Sequence, residues 1–276
     1  MTNASLRVGF AILAFAFLPG GGALRAQSAE PAGQELAQGL AQVLAPSGHL
    51  RVGVYAGSPT SQVTDPQTKQ NHGVTYDLGK AFAARLNVPV EYIFFPRVAD
   101  VVDAIKDGKV DFTVTNATPV RARDVNFSQT LLMVELGYLV PANSPITRPE
   151  QIDGPGIRIG VSKGGTSERV LAEKFRNAKI IPTESVPDAT NSLRSGAVDV
   201  YATNKAILFQ IAQSLPGARV LDGNWGAEHM AIAVPKGREA AQGLLDSFVR
   251  EVQSSGQLLE IETTAGLKGA INAAKP

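Results

Sequence analysis

The stretch IKDGKVDFTVTN, residues 105–116, decides the fold, because LRSGAVDVYATN, residues 193–204, repeats its grammar. Each begins at the end of a helix, turns on a glycine, opens a strand with Val-Asp and stops at Thr-Asn. A recurrence at this separation is an echo between two similar lobes, not a short-period repeat.

Outward from the first copy, LRVGVY (50–55) reads as a buried strand and residues 56–72 as a polar loop. Thr75 is expected to cap a helix carrying Leu78, Phe82 and Leu86. VEYIFFP (90–96) is the next strand, and Val98, Val101, Val102 and Ile105 mark a helix face. The resulting β-α-β-α-β run predicts an α/β fold with mostly parallel sheets flanked by helices. Outward from the second copy the rhythm returns. IRIGVS (157–162) is a strand, Gly164-Gly165-Thr166 turns into a helix, and KIIPTES (179–185) precedes another helix over 186–195. A helix through Ile207, Leu208 and Ile211, the strand HMAIAVP (229–235) and a helix over 239–254 with a helical tail complete it.

Residues 1–26 read as a cleavable leader: Arg7, then the short apolar core GFAILAFAFL, then small residues before a cut near Ala26. The segment 27–48 is Ala-, Gln- and Gly-rich, with a short helix expected over 34–44. The chain has no cysteine, which excludes disulfides, thiolate metal sites and a cysteine nucleophile. Without Arg7 and Arg25 the 26 basic residues fall to 24 against 25 acidic ones, a charge of −1. That balance gives no general attraction to nucleic acid or anionic membrane, so a charged ligand must be met by local groups.

Paired α/β lobes take small ligands beyond the carboxyl ends of their strands. Both Thr-Asn pairs and residues 164–166 fall at such ends, and TNATPVRARDVNFS (115–128) sets Arg121 over the crevice.

In order, LRVGV, GVTYDLGKAFAARLNV, AIKDGKVDFTVTNATPVRARDVNFS, IGVSKGGTSE and LRSGAVDVYATN resemble the bacterial extracellular solute-binding proteins of family 3, the receptors of polar amino acid importers. The resemblance covers 49 to about 255. It implies a two-lobed type II periplasmic-binding fold: lobe 1 from 49–139 and 230–276, lobe 2 from 140–229, with crossings near 138–142 and 228–233. It implies a monomer in the periplasm that hands a small solute, an amino acid or related organic anion, to the membrane permease of an ABC transporter. No cofactor, metal or nucleic acid is implied.

The resemblance places carboxylate binding on Arg121, whose planar guanidinium can donate two parallel hydrogen bonds. Thr118 and Asn116 add polar groups, and Gly165 with Thr166 adds N–H donors and a helix dipole. Arg123 is expected to be exposed. The sequence also departs from the pattern. Asn204 stands where an acid usually meets the ligand ammonium, and Ser58-Pro59 stands where an aromatic usually packs. The loop between Asn116 and Arg121 is about two residues shorter than the family's usual one. Arg97 is a further cation that could face the crevice. Together these favour a small organic anion over a zwitterion, unless Glu168 or Asp188 replaces the missing acid. The alternatives are a dehydratase-like enzyme on the same fold, with Glu168 as its candidate acid, and a sensor partner presenting ligand to a membrane receptor. His49, His72 and His229 show no metal or nucleophile spacing, so no catalytic set is expected.

Overall fold

The computed structural model describes Met1 and residues 38–271; the expected leader and residues 27–37 lie outside the described residues. Helix α1 covers residues 38–44, within the span expected for it. Strand β1 (Leu50–Tyr55) is buried at every position but Arg51. The polar segment after it holds a small hairpin of β2 (Val63–Thr64) and β3 (Asn71–His72).

Helix α2 (Val74–Arg85) buries Val74, Leu78 and Phe82 as one stripe. Its start differs from expectation, because Gly73 and not Thr75 is the cap. Gly73 has φ 146°, and a Cβ there would lie 2.3 Å from the Ser61 carbonyl oxygen. Asp77 accepts from the Gly73 N–H at 2.9 Å, leaving the Thr75 hydroxyl to donate to the Thr60 carbonyl at 2.9 Å.

Strand β4 (Val90–Phe95) pairs in parallel with β1 along its full length. Helix α3 (Val98–Lys106) follows, and a parallel bridge from Val52 to Phe112 brings β5 (Thr113–Asn116) beside β1. Next come β6 (Val125–Phe127) and the long β7 (Leu132–Val140). The second half runs β8 (Arg158–Ser162), α4 (Thr166–Lys174), β9 (Lys179–Thr183), α5 (Val186–Arg194), β10 (Val200–Asn204) and α6 (Lys205–Gln213). Then β11 (Arg219–Val220), β12 (Gly226–Pro235), α7 (Gln242–Ser254), α8 (Gln257–Thr264) and β13 (Ala270–Ile271) close the described chain.

Parallel pairing is found for β1–β4, β8–β9 and β8–β10. The antiparallel partners of the large sheet belong to β7 and β12, in the order β5-β12-β7-β10-β8-β9. These two strands run between separate cores. One core gathers Phe82, Phe112 and Phe248, with ring centroids 5.5 and 4.8 Å apart, together with Val134 and Met230. The other lobe packs Tyr201, Leu208 and Ile211 on one sheet face and Ile159, Val161 and Leu171 on the opposite one. Strand β7 changes core between residues 134 and 138, and the chain entering β12 does so between Trp225 and Met230. These passages adjoin or overlap the crossings expected near 138–142 and 228–233. In LMVELGYLV the one charged residue, Glu135, falls within the crossing and pairs with Lys205.

The lobes touch. Tyr55 and Val101 pack with Val186 and Leu193 of the opposite lobe. A Cβ on Gly164 would meet the Ala99 side chain at 2.6 Å.

Candidate functional site

The strand ends meet in one cleft of about 570 Å³ including its open mouth, bordered by Tyr55, Asn116, Arg121, Thr166, Asn204 and Glu228. Sequence reasoning had named four of these six; Tyr55 and Glu228 are additions.

On the lobe 1 side the chain leaves β5 and makes a single 3-10 turn, Arg121–Arg123. The Thr118 hydroxyl accepts from the Arg121 N–H at 3.2 Å and tightens this turn. The guanidinium folds back toward β5, where Nη1 donates to Thr115 Oγ1 at 2.7 Å and to the Asn116 carbonyl at 3.3 Å. No carboxylate of the described residues pairs with it, and the residue borders the cleft with Nε and Nη2 making no hydrogen bond to the described residues. Burial lowers its pKa, against the opposing pull of Glu228 and Tyr55. Arg123 is exposed, as expected.

On the lobe 2 side Gly164, with φ 70°, turns the chain into α4. Gly165 caps the helix and Thr166 opens it, and both border the cleft, so the helix start with its unpaired N–H groups lies at the cleft wall. Thr166 Oγ1 accepts from Asn116 Nδ2 at 3.2 Å, a direct bond between the lobes.

Several expected residues do other work. Ser58 is fully buried and does not border the cleft; its hydroxyl bonds Thr60 Oγ1 at 2.8 Å and accepts from the Tyr55 hydroxyl at 3.3 Å. The aromatic wall is Tyr55, the last residue of β1, three positions before the place where the sequence suggested none. Arg97 reaches the cleft mouth, but its guanidinium is taken up by Asp100 at 2.6 and 2.9 Å and by Glu184 at 2.5 Å. Lys163 also donates to Glu184, at 2.6 Å. This cluster ties the β4–α3 loop to the β9–α5 loop across the mouth and leaves Arg97 little free charge for a ligand.

The two acids held in reserve are also committed. Glu168 accepts from the Gly164 N–H at 2.6 Å. Asp188 accepts from the Glu184 N–H at 2.8 Å, while the Ser185 hydroxyl caps α5 by accepting from the Asp188 N–H at 3.1 Å. Neither borders the cleft. His49 and His229 are exposed, and among the described residues no group of His, Cys, Asp or Glu could hold a metal.

Asn204 ends β10 and caps α6. Its Oδ1 accepts from the Ile207 N–H at 3.1 Å, which forces Nδ2 outward. Nδ2 donates to Glu228 Oε2 at 2.9 Å. Glu228, only 9 % exposed, comes from the part of β12 that passes between the cores. Burial raises its pKa, while the bond from Asn204 and the Arg121 charge pull it down. Sequence reasoning read this residue as hinge. The available signal was an acid in GAEHMAIAVP, a strand otherwise rich in small and apolar residues.

A family described as bacterial extracellular solute-binding proteins, family 3, matches residues 50–266. The chain is 25 % identical over 201 residues to the ABC transporter glutamine-binding protein GlnH of Bacillus subtilis (strain 168), covering 71 % of this chain and 73 % of that one. The crystal structure of the solute receptors for L-cysteine of Neisseria gonorrhoeae matches with a TM-score of 0.72 and 26 % identity, covering 82 % of this chain and 92 % of the other. An ancestral amino acid-binding protein, AncCDT-1, a precursor of cyclohexadienyl dehydratase, shares the fold at a TM-score of 0.71 and 24 % identity, covering 82 and 98 %.

Proposed function

Because this chain belongs to the bacterial extracellular solute-binding proteins of family 3, we propose that it captures a small carboxylate-bearing solute, an amino acid or related organic anion, for an ABC importer. The observation that carries this reading is Arg121: a guanidinium deep in a cleft, oriented by Thr115 and Asn116, with N–H groups unspent. In this reading the protein acts in the periplasm as a monomer after loss of residues 1–26, and hands its solute to a membrane permease. Lobe 1 (49–139 and 230–276) and lobe 2 (140–229) close on the solute by turning about β7 and β12. Closure brings Thr166 and the start of α4 onto the carboxylate and makes the Arg97–Glu184 contact at the mouth.

A thermal-shift screen of amino acids, dicarboxylates and aromatic acids, followed by calorimetry, tests the reading. Removing one partner of a desolvated charge pair costs about 2–5 kcal/mol of binding. Arg121→Ala is therefore expected to abolish measurable binding while the protein still melts cooperatively, and Arg121→Lys to bind poorly for want of a planar fork. Near-native affinity in both variants would mean that the guanidinium does not hold the solute.

A second reading, a dehydratase-like enzyme, draws on the buried Glu228 carboxyl, whose raised pKa suits a proton donor. NMR of a bound compound over time separates the two: it is recovered unchanged from a receptor and converted by an enzyme.

A further inference from the structure

The expectation that this cleft disfavours a ligand ammonium rested on Asn204 having no acid beside it. That premise does not hold, since Glu228 sits within hydrogen-bond distance of the Asn204 amide. Nor does Arg97 add a second free positive charge, because Asp100 and Glu184 occupy it. The free charges bordering the cleft are then one cation, Arg121, and one acid, Glu228, which interact through space without pairing directly. The two poles suit a ligand that is itself a zwitterion.

We infer that Glu228 is the specificity-determining acid of this cleft, meeting a cationic nitrogen on the solute, and that Asn204 is the residue that positions it. The inference rests on the solute-capture reading above. The assignment of Asn204 follows from its two ends. Its carbonyl is spent on the start of α6, so its amide N–H must face Glu228 and cannot present an oxygen to a cation. One carboxylate oxygen is thereby fixed by Asn204, and the other has no donor among the described residues. The hydrogen bond from Asn204 and the Arg121 charge favour the ionised carboxylate, against its burial. A solute with an ammonium beside its carboxylate can span from Arg121 to Glu228. A dicarboxylate of the same size would set its second negative charge against Glu228.

Calorimetry with the twenty common L-amino acids, each compared with the same acid lacking its amino group, tests this. Wild-type protein is expected to bind at least one amino acid more tightly than its deaminated partner. Glu228→Gln, close to Glu in shape, should weaken the amino acid by about 30-fold or more. The same change should leave the deaminated acid equal or tighter. Asn204→Ala should lower the amino acid preference in the same direction but by less, a ratio that a purely structural role would not move. Arg121-dependent binding of deaminated acids, with amino acids no tighter and Glu228→Gln without effect, would overturn the inference and leave capture standing. If no carboxylate binds the wild type, both fail together.

Discussion

Residues 105–116 and 193–204 open their strands in the same way and are buried differently. In the first, Asp111 accepts from Arg51 through Nε at 2.7 Å and Nη2 at 2.8 Å. In the second, Asp199 accepts from Arg158 through Nε at 3.0 Å and Nη2 at 2.6 Å. In both cases the arginine lies at the start of another strand, second in β1 and first in β8, so the Val-Asp echo is one clamp used twice. Asp111, however, is completely buried and takes a third arginine contact from Arg238 at 2.6 Å. Arg238 also donates to the Leu44 carbonyl at 2.6 Å. The lobe 1 clamp therefore ties three distant pieces of chain together, whereas the lobe 2 clamp stays open to water. The two strand ends also diverge. Asn116 Oδ1 accepts from the His229 N–H at 3.0 Å, and Asn204 holds the side chain of Glu228. Adjacent residues of one crossing strand are thus gripped by an asparagine from each half of the echo.

Asp111→Ala should separate the two clamps most sharply. It leaves Arg51 and Arg238 without their shared acid, and breaking a buried pair in this way costs about 3–5 kcal/mol. Urea titration is the measurement, and an effect no larger than that of Asp199→Ala would erase the distinction. At the strand ends, Asn204→Ala loses a helix cap worth about 1 kcal/mol. It also leaves Glu228 unsatisfied for about 1–3 kcal/mol more. Asn116→Ala loses side-chain hydrogen bonds worth about 1 kcal/mol each, and should melt closer to wild type.

Titration sharpens the contrast further. Burial pushes the Asp111 pKa up, but hydrogen bonds from Arg51 and Arg238 pull it further down, so it ends below its ordinary value. Its contribution to stability is present above the unfolded value of about 3.9 and is lost as pH falls through the lower folded value. Glu228 runs the other way. Burial raises its pKa, against Asn204 and Arg121, so stability is greatest below about 4.3 and declines as pH rises through the folded value. Melting curves of the ligand-free protein between pH 3 and 8 (roughly the range over which carboxylates titrate) should therefore steepen at the acid end through Asp111. Glu228→Gln should remove the decline above it, and an unchanged profile in that variant would mean the carboxyl is not buried in solution. Asp199→Ala should cost much less than Asp111→Ala, since solvent and salt screen its clamp. The smallest effect is expected from Glu184→Gln. Its contacts with Arg97 and Lys163 are exposed, so stability should hardly change, while the scattering radius of the empty protein should grow slightly if those contacts favour closure.

Much of this architecture can be read directly, because strand ends, glycine turns and helix starts are local. That Arg121 and Thr166 border the cleft follows from their places after Thr-Asn and after Gly-Gly. What could not be read depends on partners distant in sequence. Arg97 is only partly of this kind: Asp100, three residues on, holds it through two bonds that local sequence could announce, and only the Glu184 contact, 87 positions away, lies beyond local reading. Glu228 looked like part of a hinge because nothing local says which way a crossing strand turns its side chains. Asn204 was half legible: an asparagine opening NKAILFQ announces a cap, and a cap already decides which end of the amide is left over. Following that amide one step further would have led to an acid. Tyr55 escapes a sequence reading because the pattern's usual aromatic position falls at Ser58-Pro59, three residues downstream.

Strand β12 runs between the two cores, and this has a kinetic side. Points close to a rotation axis sweep short arcs, so in the proposed closure the Glu228 carboxylate hardly travels while Thr166 and Glu184 swing through the longest paths. A solute can then settle against Arg121 and Glu228 before the lobes meet, and the arrival of α4 becomes a separate, later step that governs escape. Stopped-flow fluorescence of Trp225, packed at the crossing on the second core, should show two phases: a concentration-dependent one sensitive to Glu228→Gln and a concentration-independent one sensitive to Thr166→Ala. A single phase slowed by both changes would instead make encounter and closure one event.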